Sequence, residues 1–147
     1  MALRDNLLPV ANTLRAKAEA FGVRRYSVTV RQRTWSGGRP GLGTMTPTDL
    51  TLSPRPRVRA VSSREIAASG GTFTQGDLRI GPITPSNGAG VGYTAAQLAP
   101  DVSSANGDVM YVLVGDDGTT VARLVDRPSV DRSLGWFVVV RPTRETP

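Results

Sequence analysis

Val109-Met-Tyr-Val-Leu-Val-Gly-Asp-Asp-Gly-Thr-Thr-Val-Ala-Arg-Leu-Val125 is the stretch whose reading decides the fold. Val109, Tyr111 and Leu113 alternate along one side of an extended segment, because residues two apart in a strand share a face. Gly115-Asp-Asp-Gly118 then signals a hairpin turn, since Gly and Asp accept the backbone angles of a tight reversal. Residues 120–125 return as the partner strand. Farther on, residues 136–140 follow Gly135 as a final strand that stops at Pro142, and the tail 143–147 is expected to be loose.

The same period of two recurs upstream. Tyr26, Val28 and Val30 alternate with Ser27, Thr29 and Arg31 in a strand running to about Trp35. Ser36-Gly-Gly-Arg-Pro-Gly-Leu-Gly43 interrupts it. Residues 48–61 are again extended, with Leu50 and Leu52 alternating with Asp49, Thr51 and Ser53. Pro54 and Pro56 cannot donate to a ladder, so this segment has to be an edge, a bulge or a strand entering late. Ser62 to Ile66 suits one turn of helix, and Phe73 with residues 77–80 suggests a further short pair of strands. Residues 84–106 carry almost no periodic apolar signal, apart from a possible helical turn from Thr94 to Leu98. Long loops of that kind tend to be functional.

Before the first strand, residues 4–21 fit a helix. Leu7, Leu8, Ala11, Leu14, Ala18 and Phe21 recur at three- and four-residue intervals, with Arg15, Lys17 and Glu19 elsewhere on the wheel. Pro9 is tolerated in a first turn and Gly22 is a natural stop. The expected role is a lid packed on a sheet. The whole is read as one domain, 1–147: an N-terminal helix in 1–22, strands in 23–83 and 107–142, and the long loop 84–106 between them. The expected class is mainly β, a small antiparallel β-barrel or sandwich of six to seven strands with one N-terminal helix and long loops.

Composition narrows the function classes. The chain has 147 residues, 16 glycines, 11 prolines, no cysteine and no histidine. Disulfides, thiolate metal sites, an imidazole general base and the usual zinc sites are therefore excluded. The start, Met-Ala-Leu-Arg-Asp-Asn, has no apolar run of signal-peptide length, and no run approaches a membrane span. The expected location is a cytoplasm until assembly. Gly37-Gly-Arg-Pro-Gly-Leu-Gly43 lacks the Gly-Lys-Ser/Thr end of a phosphate loop and joins strand to strand, so a plain loop is expected. Asp116 and Asp117 are explained by the turn and fall short of a calcium cage. No pair of acids has a spacing that implies acid–base partnership. No catalytic residue, cofactor or metal is expected.

The charge pattern is more informative. The net charge is +6, and of the 18 basic residues only Lys17 is not arginine. Arg31 and Arg33 in one strand, and Arg55, Arg57 and Arg59 in the next, stand at every other position. Each segment thus carries a guanidinium stripe on one face. Three readings are open: a solvated face, a contact with acidic groups of a neighbouring subunit, or a sequence-independent contact with the phosphates of double-stranded DNA.

Taken together, Arg24-Arg-Tyr-Ser-Val-Thr-Val-Arg31, the Pro-punctuated strand, the long polar loop and the closing Phe137-Val-Val-Val-Arg141 resemble the head-completion proteins of tailed bacteriophages, from about Arg24 to Arg141. The likeness is to the stopper, or head-closure, type, with the tail terminators as the neighbouring alternative. An N-terminal helix ahead of the barrel departs from the smallest stoppers. The resemblance implies a virion protein of the neck that forms a homo-oligomeric ring, twelve-fold in the stopper case. Its partners would be the portal–adaptor complex and the tail, and no membrane. Such a ring must let DNA pass, so a strongly basic lumen would hinder it. The nearly uncharged loop 84–106, with Ser86, Asn87, Tyr93 and Gln97, is the candidate channel element, with the Gly-rich loop 36–47 as the alternative, and the stripes are then assembly surfaces.

Overall fold

A computed structural model describes residues 26–37, 43–102 and 107–147. The helix expected over 4–21 and residues 38–42 of the Gly-rich loop lie outside the described residues. Eight strands form one antiparallel sheet: β1 (Ser27–Trp35), β2 (Met45–Thr51), β3 (Val58–Ala60), β4 (Leu78–Ile83), β5 (Gly107–Gly115), β6 (Gly118–Leu124), β7 (Ser129–Asp131) and β8 (Gly135–Thr143). Their order across the sheet is β2-β1-β5-β6-β8-β4-β3, with β7 paired to β8 off this path. The mainly β expectation holds. The count is eight rather than six to seven, and the hydrogen-bonded path is open between β2 and β3.

The two prolines explain the extra strand. The extended stretch expected over 48–61 splits at Pro54 and Pro56 into β2 and β3, which become the two edges of the sheet. The connection from Thr51 to Val58 can reach at most about 25 Å. Seven strands lying flat would hold the edges ~29 Å apart. The sheet therefore has to curl, and its inner face wraps one core. Val28, Val30, Leu52, Ile80, Ile83, Leu98, Tyr111, Leu113, Ala122, Val138 and Val140 form that core as a single cluster.

Edge β2 is protected by its own sequence. Leu52 N–H donates to Val28 O and Ser36 N–H to Thr44 O, so even-numbered residues of β2 bond to β1 and odd-numbered ones face the open side. Pro47 falls in that outward row and removes a donor from its middle, which discourages strand addition. Pro142, expected to end the last strand, sits inside β8 opposite Ala122. Its nitrogen turns toward the β4 side, beyond Leu78 where β4 begins, so no ladder bond is lost.

Two short helices complete the described fold. α1 (Ser63–Ala68) starts with a reciprocal cap: Glu65 N–H donates to Ser62 Oγ, and Ser62 N–H donates to Glu65 Oε1. α2 (Ala95–Leu98) is the helical turn anticipated at Thr94 to Leu98, capped by Thr94 and Gln97 in the same way. It lies in the long segment expected over 84–106, whose described part, residues 84–102, is folded rather than structureless. Ser86 N–H donates to Tyr93 O, and Tyr93 N–H donates to Thr84 O. Trp136 Nε1–H donates to Tyr93 O at 3.0 Å. Leu98 then enters the core at 0 % exposure.

Candidate contact surface

Strand parity decides what the arginines face. Val28 and Val30 point inward, so Thr29, Arg31 and Arg33 point outward, and the register brings carboxylates opposite them. Arg31 stands across from Asp49 of β2, and Arg33 across from Asp108 of β5. Arg31 donates twice to Asp49, Nε to Oδ1 at 2.9 Å and Nη2 to Oδ2 at 3.0 Å. Arg33 grips Asp108 in the same forked way at 2.8 and 2.6 Å, and its guanidinium lies 5.0 Å from the Trp35 ring centre. Planar bidentate pairing of this kind is what the guanidinium fork does best.

The belt continues across the sheet. Arg123 of β6 donates to Asp108 at 3.0 Å and to both oxygens of Glu145 at 2.8 and 2.6 Å. The segment expected as a loose tail is thereby tied down: Thr143 belongs to β8, and Glu145 is held by Arg123 and by Thr143 Oγ1. On the other half of the face, Glu65 receives Arg59 at 2.6 Å and Arg79 at 2.6 Å. Arg79 also lies 4.0 Å over the Phe137 ring. Arg141 reaches Asp77 with Nε at 2.9 Å and Nη2 at 3.0 Å. Asp77 is only 1 % exposed, and Thr74 N–H donates to its second oxygen.

Three of the five stripe arginines are thus occupied by carboxylates of their own chain. Arg57 is exposed and makes no side-chain bond among the described residues; Arg55 is exposed as well. The residues that sequence reasoning passed over are the acceptors Asp49, Glu65 and Asp108, with Arg79 and Arg123. A short cleft of about 280 Å³ lies on the same face, between α1 and β8, lined by Glu65, Phe73, Arg79, Asp126 and Phe137.

The candidate channel residues divide into two groups. Ser86 and Asn87 are exposed in a turn where Asn87 Oδ1 accepts from the N–H groups of Ala89 and Val91. Tyr93 and Gln97 are anchors. The Tyr93 hydroxyl accepts from Ser53 N–H at 2.8 Å and donates to Thr51 O at 3.3 Å, joining the segment to the end of edge β2. Gln97 is exposed and caps α2.

The ion pairs set a response to acid. Arg59 holds the Glu65 carboxyl far below the usual carboxylate range. Arg141 does the same for Asp77, and Arg123 for Glu145, to a smaller degree. Burial pushes Asp108 up, but Arg33 and Arg123 outweigh it and the net displacement is downward. A carboxyl whose folded value is depressed contributes stability above its unfolded value, and that contribution is lost as pH falls through the folded value. We therefore expect a thermal midpoint that is flat from neutral pH to about 5 and falls continuously below about 4. Calorimetry across pH 2–8 checks it; an unchanged midpoint at pH 3 would contradict it.

A scan against protein-family models found no match, and a search of curated proteins found none either. Among solved structures, the solution structure of protein SF1141 from Shigella flexneri 2a, a structural genomics target, is similar with a TM-score of 0.47 and 18% identity, over 85% of this chain and 99% of that chain. At that likeness it bears on neither partner nor activity.

Proposed function

We propose that the chain is a structural subunit of a tailed-phage neck, of the stopper type. It assembles with its own copies into a ring, joins the portal–adaptor complex to the tail, and closes or lines the DNA channel. A tail-terminator ring is the neighbouring alternative. The observation that carries the reading is the internal neutralisation of the stripes: Arg31, Arg33 and Arg59 are held by Asp49, Asp108 and Glu65. A phosphate-binding protein keeps its guanidinium groups available, whereas a channel component has to let DNA slide past. The pairing favours a connector over a monomeric DNA-binding barrel.

Exposed apolar side chains support contact with other subunits. Val130 and Leu134, 54% and 59% exposed, stand together on the β7–β8 hairpin. The part of the long segment able to face a channel is the tip with Ser86, Asn87 and exposed Val91; Tyr93 and Gln97 hold it in place.

The test uses DNA-filled heads produced without this chain. Added protein is expected to bind the heads and protect their DNA from nuclease and from leakage. Heads that keep or lose DNA equally with and without it would overturn the proposal. In parallel, the free subunit is expected to bind double-stranded DNA weakly at 150 mM salt. Tight binding that falls when Arg31, Arg33, Arg55, Arg57 and Arg59 are neutralised would instead favour the DNA-binding reading.

A further inference from the structure

The tip of the long segment holds an amide and a backbone nitrogen in a shaped turn. Asn87 is followed by Gly88, and both are exposed. Asn87 N–H donates to Val91 O at 3.0 Å and closes the turn. The Asn87 side-chain oxygen accepts twice, from Ala89 N–H at 2.8 Å and from Val91 N–H at 3.3 Å. The bond to Ala89 bends the side chain forward along the chain, which brings Cγ to the side of the Gly88 nitrogen. Gly88 has a φ of +78°, and a Cβ there would meet no described atom within 4 Å. Its nitrogen is therefore unshielded, and its N–H donates to Ser86 Oγ at 3.3 Å. Asn87 Nδ2, by contrast, makes no hydrogen bond among the described residues.

We propose that Asn87 is a self-modifying site, where the Gly88 nitrogen attacks the Asn87 side-chain amide and converts the residue to aspartate and isoaspartate. The bond from nitrogen to Cγ forms as Gly88 N–H gives up its proton. The bond from Cγ to Nδ2 then breaks, Nδ2 takes up a proton, and ammonia leaves behind a cyclic imide. Water opens that ring. Attack at Cγ gives aspartate, and attack at the backbone carbonyl gives isoaspartate.

The bonding pattern suits each step. Negative charge gathers on Oδ1 as the ring closes, and two N–H groups already point at it, as in an oxyanion hole. They hold the oxygen that stays and leave free the nitrogen that departs. A free peptide has to find the forward rotamer before it reacts, whereas the turn holds it. In an enclosed site one such donor is worth about a hundredfold or more in rate, and at a water-exposed tip the gain is smaller. The product changes the tip. Residues 84–100 carry no charged side chain, and aspartate brings the first. The chemistry does not rest on the neck reading; under that reading, the new charge lies on the part of the segment able to face the channel.

Fragmentation mass spectrometry of the intact native chain, aged at neutral pH and sampled over weeks, tests this. Cleavage at arginine releases residues 80–123, and fragment ions separate Asn87 from Asn106 within that piece. We expect position 87 to pass from amide to acid about threefold or more faster in the native chain than in the free peptide of residues 86–92. A native rate no higher than the peptide's overturns the proposal, because the turn would then protect the amide rather than promote its loss. Asn87→Gln gives a second reading. Its longer side chain closes a larger ring reluctantly, so the gain of acid at position 87 is expected to vanish. Conversion there at the parent's rate would also overturn the proposal.

Discussion

Leu98→Ala is expected to lower the unfolding free energy by about 2–5 kcal/mol, the range for truncating a fully buried leucine. Leu98 is 0% exposed and packs in the main core, although it comes from the segment with the weakest apolar pattern in the chain. Its carbonyl accepts the hydroxyl of Tyr111, a residue equally buried in the centre of β5. Burial pushes the Tyr111 phenol well above its ordinary value, so the hydroxyl stays protonated and donates at every pH the protein meets. Removing the leucine side chain leaves a cavity and loosens the hold on that bond, so the loss should sit toward the upper part of the range.

Val91→Ser is the control. Val91 lies on the same segment but is 58% exposed, and its substitution should change stability by no more than about 0.5 kcal/mol. Equilibrium denaturation of the two variants separates an anchored segment from a free one. Equal, small effects would mean that residues 84–102 detach readily from the body. The contrast also bounds what can move in a channel: the tip near Asn87 and Val91 can shift, whereas a deletion reaching Leu98 removes part of the core.

The strands were legible wherever local pattern alone decides structure. Alternation from Val109 to Leu113 and the Gly115-Asp-Asp-Gly118 turn correspond to β5, β6 and their hairpin. Pro54 and Pro56 marked edge character, although they did not reveal that one extended stretch would serve both edges of the same sheet. That outcome depends on which strands fill the space between, a property of the whole topology. The turn ending at Leu98 was anticipated, but its burial in the core was missed for a related reason. A lone leucine among small and polar residues has no period, and only the closing of the curled sheet creates the place it fills.

The stripes show the same division. That Arg31 and Arg33 share a face follows from the backbone alone. That the face also presents Asp49 and Asp108 depends on register. Asp108 lies 75 residues from Arg33 in sequence, and a one-residue slip would send it to the core side. Arginine is conspicuous at alternate positions, while the partners of Arg31, Arg33 and Arg59 are single carboxylates in two other strands and a helix. Spacing could suggest a basic patch, but only the pairing shows that its charge is largely answered from within.

Asp108→Ala makes that compensation measurable in two ways. Arg33, Arg123 and Asp108 are all partly buried, with side-chain exposures of 17%, 29% and 24%. Removing the carboxylate deprives both guanidinium groups of a charged acceptor. The expected loss is about 1.5–3 kcal/mol, the scale of hydrogen bonds to charged groups. The second effect has the opposite sign. Freed from Asp108, Arg33 becomes available to phosphate, and so does Arg123 where Glu145 yields. The variant should therefore bind double-stranded DNA more tightly than the parent chain. If both arginines engage phosphate, the plot of log affinity against log salt should steepen by about 1.8. Stability lost and DNA affinity gained in one variant is a combination that only an internally neutralised face produces. If affinity instead stayed level while stability fell, the arginines would be purely structural, and neutralisation would have no bearing on how the chain meets DNA.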